Sequence, residues 1–151
     1  MARTNRKSAS NTRRAPLTRK QLLPMPTARA RSLSLECHLG LATLHAGQGS
    51  ADTVASLLRA VYLAYVIDRL GHVEPEAYRN AEAALERCAL RAKQDDRWDV
   101  TDEEASMIAR ILAVLDTQLA SQPLHRYESA LARVHYLVAV EKRSPIPEPS
   151  A

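Results

Sequence analysis

Phenylalanine is absent from this chain of 151 residues, glycine occurs 4 times and cysteine 2 times. Each scarcity removes a class of protein. Two cysteines, Cys37 and Cys88, make no disulfide framework; both fall in stretches that read as helix interiors, as suits buried free thiols in a reducing cytoplasm. So few glycines leave no Gly-rich phosphate cradle, and no Ser or Cys stands in a nucleophile elbow. No CxxC, HxxxH or HExxH spacing occurs, which removes the common metal-binding patterns. No apolar run approaches the roughly 18 to 20 residues of a membrane span. The longest, "AVYLAYVI" from Ala60 to Ile67, is bracketed by Arg59 and Asp68 and reads as a buried helix. Strand alternation is missing, and so is any repeat of fixed period.

Apolar residues make up 46% of the sequence. Leu and Ala supply most of them, and both favour helix, whereas β-branched and aromatic residues favour strands. The length allows one domain with a sizeable core. Charge is unevenly spread although the net value is only +4. From Met1 to Arg31 there are 9 basic residues (Arg3, Arg6, Lys7, Arg13, Arg14, Arg19, Lys20, Arg29 and Arg31) and no acid. The remaining 12 basic residues face all 17 acids, so a head of +9 precedes a body of about −5.

The expected fold is all-α: a single bundle of about five amphipathic helices with a disordered basic N-terminal arm. Residues 1–26 comprise the arm and a Pro-rich connector, 27–143 the helical domain, and 144–151 a disordered tail. The head is too polar and too charged to bury enough surface to offset the entropy of ordering. In "LLPMP", Leu22 to Pro26, residues before proline are pushed toward extended backbone. The first helix runs from Thr27, an expected N-cap, to about Ala46, with Gly47 in the left-handed position after it. Leu33, Cys37, Leu41 and Leu44 share its inner face, and Gly40 is either a mild weakness or a point of close packing. A second helix follows Ser50 and ends at Gly71; Val54, Leu57, Leu58, Val61, Tyr65 and Leu70 form its wide apolar face. The third takes Pro75 as its first residue and carries a narrow stripe of Tyr78, Ala81, Leu85, Cys88 and Ala92. "KQDDRWD", Lys93 to Asp99, is a polar linker whose Trp98 covers the end of the core. The fourth opens on a capping box at Thr101 and Glu104, and the fifth near Ser121 carries Tyr127, Leu131, Val134, Leu137 and Val138. "RSPIPEPSA" cannot continue a helix.

Chemistry has few places to reside. His38 and His45 share a helix face, but two turns separate them by about 10 Å of rise, too far for one ion. Asp95, Asp96, Asp99, Asp102, Glu103 and Glu104 form an acidic patch. It reads as a solvated loop and a dipole-compatible helix start, or alternatively as a cation site or a dock for the basic arm. The expectation is a protein that is not an enzyme and uses no cofactor or metal.

The arm is the strongest signal. Arg13-Arg14 resembles a twin-arginine export signal, yet no apolar region follows it, and Pro16, Pro24 and Pro26 oppose the amphipathic helix of a transit peptide. Cations without acids are the footprint of nucleic-acid contact, since each neutralised phosphate releases condensed counterions. A solubilising terminus, an acidic protein surface and an anionic membrane are the other readings of the same charge. The favoured partner is nucleic acid, through the nine named cations, with a homodimer or protein partner for the body and no membrane. The rival is an interaction module that binds no nucleic acid and uses exposed apolar residues of the second helix.

The run "LPMPTARARSLSLECHLGLATLHAGQGSADTVASLLRAVYLAYVI", Leu23 to Ile67, continued in style by "AEAALERC", Ala81 to Cys88, resembles short proteobacterial proteins catalogued as Fis-family transcriptional regulators. The resemblance implies a small bacterial cytoplasmic DNA-binding protein, usually dimeric, with a C-terminal helix-turn-helix. The C-terminal helix of this chain shows Arg126, Arg133 and His135 among Leu, Val, Ala and Tyr, and "ASQPLHRYES" before it has no Gly turn. No base-contacting residue is carried over from the resemblance.

Overall fold

The computed structural model describes residues 15–149. Arg3, Arg6, Lys7, Arg13 and Arg14, the first part of the expected arm, lie outside them. The described chain is all-helical: α1 (Arg19–Leu22), α2 (Thr27–His45), α3 (Ala51–Ile67), α4 (Pro75–Asp95), α5 (Asp102–Ser121) and α6 (Leu124–Ala139). The five expected helices are present, and α1 adds a sixth within the stretch expected to be disordered. Its cause is local. The Thr18 hydroxyl accepts the Gln21 N–H, and the Gln21 side chain accepts the Thr18 N–H, closing one turn at both ends.

The core forms around α3 and α5. Helix α2 packs on both, α4 packs on the same two, and α6 lies against α3. Thr53 and Leu57 of α3 approach α2 at Gly40, while Tyr65 meets Tyr78 of α4 edge-to-face at 5.3 Å between centroids. Leu44, Leu57, Leu85, Ile108, Ile111 and Leu112 are fully enclosed. Burying a leucine-sized side chain is worth about 1.5–3 kcal/mol.

Several helix ends differ from the pattern-based expectation, each for a visible reason. Pro26, not Thr27, is the N-cap of α2, and it offers no side-chain acceptor. Helix α3 stops at Ile67 rather than Gly71 because the Asp68 carboxylate accepts the N–H groups of His72 and Val73 and turns the chain. Leu70, expected on the apolar face, is thereby left 82% exposed. Helix α4 continues through Lys93–Asp95, and Asp96 adopts the left-handed cap. At α5 the Thr101 hydroxyl accepts the Glu104 N–H, but the Glu104 side chain does not return to the Thr101 N–H. One carboxylate oxygen accepts the Thr101 hydroxyl at 3.2 Å and the other accepts from Arg91 at 3.0 Å, and Glu104 is buried.

Both ends of the described chain are more closely packed than their prolines suggested. The Leu124 N–H donates to the Leu23 carbonyl, Pro24 bridges Pro123, and Met25 is buried. After α6, Ile146 enters the core, and Arg79 donates to the Pro147 carbonyl at 3.3 Å. Proline forbids helix there, but an extended segment can still seat an apolar side chain in a slot. Trp98, as expected, packs against the end of the core. Among the described residues no helix is long and apolar enough to cross a membrane.

Candidate functional site

The direction of the helices turns the bipolar sequence into a bipolar molecule. Two contacts settle how α2 and α5 run: His38 meets Asp116 at 2.8 Å, and His45 meets Asp102 at 2.6 Å. The C-terminal end of α2 therefore adjoins the start of α5, where the acidic patch lies, and the two helices are antiparallel. The N-terminal end of α2 lies at the other end of a rod of 19 residues, about 28 Å long at 1.5 Å per residue.

That far end is basic. Helix α1 packs on α6, which brings Arg19 and Lys20 to the α6 N-terminus, and the Leu23–Leu124 and Pro24–Pro123 contacts bind the connector to the same place. Arg29 lies in the first turn of α2, its guanidinium 5.5 Å from the centre of the Tyr127 ring of α6. A cation over a tyrosine face gains about 0.5–1 kcal/mol where it is solvent-exposed. Arg31 follows half a turn later. Arg19, Lys20, Arg29 and Arg31 are exposed, and none has a carboxylate partner among the described residues. Helices α2 and α6 both begin on prolines without side-chain caps, and neither has an acid in its first turn. At α6 the Leu124 and Arg126 N–H groups donate to the Leu23 and Pro123 carbonyls, so the corner favours anions through its exposed cations.

Sequence spacing missed two members of this surface. Arg59 of α3 and His135 of α6 border a hollow of about 580 Å³ together with Arg29, Tyr127 and Glu128. The one available signal was Arg59 itself, which breaks an otherwise apolar run and had to face out of the core.

The acidic end is paired only in part, and Asp95, Asp96 and Glu103 form no ion pair among the described residues. Arg91 contacts Asp99 and Glu104, Arg97 contacts Asp99 at 2.7 Å, and Asp102 is taken by His45. The expected shared face of His38 and His45 is present, and each imidazole ties α2 to a different carboxylate of α5. No group of three or more His, Cys, Asp or Glu side chains converges among the described residues.

An apolar groove of about 550 Å³ runs between α2, α3 and α6, with Leu33, Cys37, Leu63 and Leu131 among its lining. Burial, followed by the neighbouring Glu36 and Asp116 charges, pushes the Cys37 thiol pKa upward. Burial likewise raises the Cys88 thiol. Neither thiol is activated, since reactive cysteines need an electropositive setting that stabilises thiolate. Protein-family models, curated proteins and solved structures gave no match to this chain.

Proposed function

We propose that the protein is a small bacterial nucleic-acid-associated regulatory protein that grips the sugar–phosphate backbone from its basic end. Arg3, Arg6, Lys7, Arg13 and Arg14 of the arm and Arg19, Lys20, Arg29 and Arg31 of the α1–α2 corner make the contacts. The carrying observation is the separation of charge. Asp99 and Glu104 of the acidic segment are held by arginines, while the four described cations of the head stay exposed and unpaired at the end opposite the acidic patch. Phosphate is a ligand whose charge and geometry suit a cluster of exposed guanidinium groups. Such binding is driven by counterion release and carries no base preference of its own. The resemblance to Fis-family regulators points to the same class. The reading includes a cytoplasmic location and no catalytic or cofactor role.

The alternative is a protein-interaction module that binds no nucleic acid. The surface that favours it is on α2 and not on α3: Tyr62, Leu63 and Ala64 of α3 are buried, whereas Leu35 and Leu39 of α2 are 60% and 56% exposed.

Binding of labelled duplex DNA and RNA across a salt series separates these readings. Deleting residues 1–31 would strip Met25 and the first turn of α2 from the fold, so the informative variants are a deletion of residues 1–14 and the substitution of Arg19, Lys20, Arg29 and Arg31 by Gln. Every phosphate left without its cation flattens the log–log salt slope by about 0.9, so the four-residue substitution removes up to about 3.6 from it. Binding that persists unchanged in both variants, or ignores salt, refutes the proposal.

A further inference from the structure

The outward face of α2 carries a pattern that the protomer does not use. Ala28, Ser32, Leu35, Leu39, Ala42 and Ala46 follow one another at spacings of 4, 3, 4, 3 and 4 along the whole helix, and all six are exposed. This is the alternation of a heptad seam. It lies on the side opposite Leu33, Cys37, Leu41 and Leu44, which face the core. Helix α2 is thus apolar on two sides, one of them spent on α3 and α5 and the other bare.

We infer that this seam pairs with the α2 of a second copy of the chain in a parallel, two-stranded arrangement. Charge flanking the seam selects both occupant and direction. With Ser32 and Leu39 at one core position of the heptad and Leu35 at the other, Arg31 and Glu36 occupy the two flanking positions. Parallel helices place Arg31 of each copy opposite Glu36 of the other, two complementary pairs by symmetry. Antiparallel helices with the same leucines in register place Glu36 against Glu36 instead. Arg31 and Glu36 are both exposed and form no ion pair among the described residues, so both are available.

Two leucines per chain among alanine and serine bury less than the roughly 800 Å² per partner of a standard stable interface. The dimer is therefore weak and concentration-dependent. Parallel pairing brings the two basic corners to one end of the assembly. The inference stands on the seam alone and holds whether or not the chain binds nucleic acid.

Sedimentation velocity of the full chain, freed of nucleic acid and run from low micromolar to millimolar concentration, tests it. The expected result is a reversible monomer–dimer equilibrium. Leu35→Lys with Leu39→Lys abolishes the dimer while the thermal transition stays in place, because both side chains are exposed. Arg31→Glu weakens association by about tenfold, and adding Glu36→Arg restores it. A monomer at every concentration overturns the inference. A dimer that survives the double lysine substitution overturns the choice of surface, and a charge swap that fails to restore association overturns the parallel direction.

Discussion

Gly40 and Gly49 make a matched pair of perturbations with opposite expected signs. Gly40 lies within α2, where a Cβ would stand 3.6 Å from Thr53 Cγ2 and 3.8 Å from Leu57, ordinary contact distances. Gly40→Ala therefore meets no obstacle and removes the entropic weakness of a helical glycine, a gain of about 0.5–1 kcal/mol. Gly49 lies in the turn before α3, and a Cβ there would overlap Leu44 Cδ2 and stand 3.2 Å from the Trp98 carbonyl oxygen. Leu44 is 0% exposed, so it has no free space to swing into. The backbone is held as well, since the Gly49 N–H donates to the Trp98 carbonyl. Overpacking of this kind costs about 1–3 kcal/mol. For a chain of this size each kcal/mol moves the midpoint by about 2–4 °C, so Gly40→Ala raises Tm by about 1–4 °C and Gly49→Ala lowers it by about 2–12 °C. Thermal and urea unfolding followed by far-UV circular dichroism, with the denaturant slope unchanged, reads both. A Gly49→Ala variant as stable as the parent would refute the tight approach of the turn to Leu44 and Trp98. A destabilised Gly40→Ala variant would show α2 and α3 packed too closely to admit a methyl group.

Asp68 tests acid stability. Burial by itself raises its pKa, but donation from His72 N–H, Val73 N–H and the Tyr78 hydroxyl outweighs this and holds the carboxyl below its ordinary value. Its folded pKa is thus below the unfolded one, so its contribution is full above about pH 4 and lost as pH falls through the folded value. Asp68→Asn should lower stability at neutral pH by about 1–2 kcal/mol and flatten the acid limb of a urea-midpoint series, whereas an unchanged acid limb would contradict the assignment. Glu104→Ala removes one of the two carboxylate partners of Arg91 and should destabilise by about 2 kcal/mol, less than a fully buried pair because Arg91 is a third exposed and keeps Asp99. Glu104→Gln should recover part of that loss, and equal losses would assign the effect to packing. Ile146→Ala should cost about 2 kcal/mol in urea unfolding, and no change would return the C-terminal segment to the status of a free tail.

The sequence by itself determined the helical class, the five long helices and most of the core. Those features rest on local chemistry and on a period of 3.6 residues that a single strand of text displays. Pro75 at the start of α4, Ser50 and Thr101 as caps, and the buried run of Tyr78, Ala81, Leu85 and Cys88 were all legible for that reason. So was the uneven charge of the head. Tertiary structure alone decided what the charges and prolines do. Nothing local announces that Glu104, while still held by the Thr101 hydroxyl, also takes a partner 13 residues earlier, or that Asp68 gathers three donors and ends α3 before Leu70. The docking of α1 on α6 depends on a carbonyl and an N–H about a hundred residues apart. Arg29 and Tyr127 meet only because α2 and α6 begin at the same corner. Antiparallel packing of α2 on α5 then sends the basic and acidic segments to opposite ends. Separation along the chain thereby becomes separation in space, because the stiffness of a helix converts sequence distance into length.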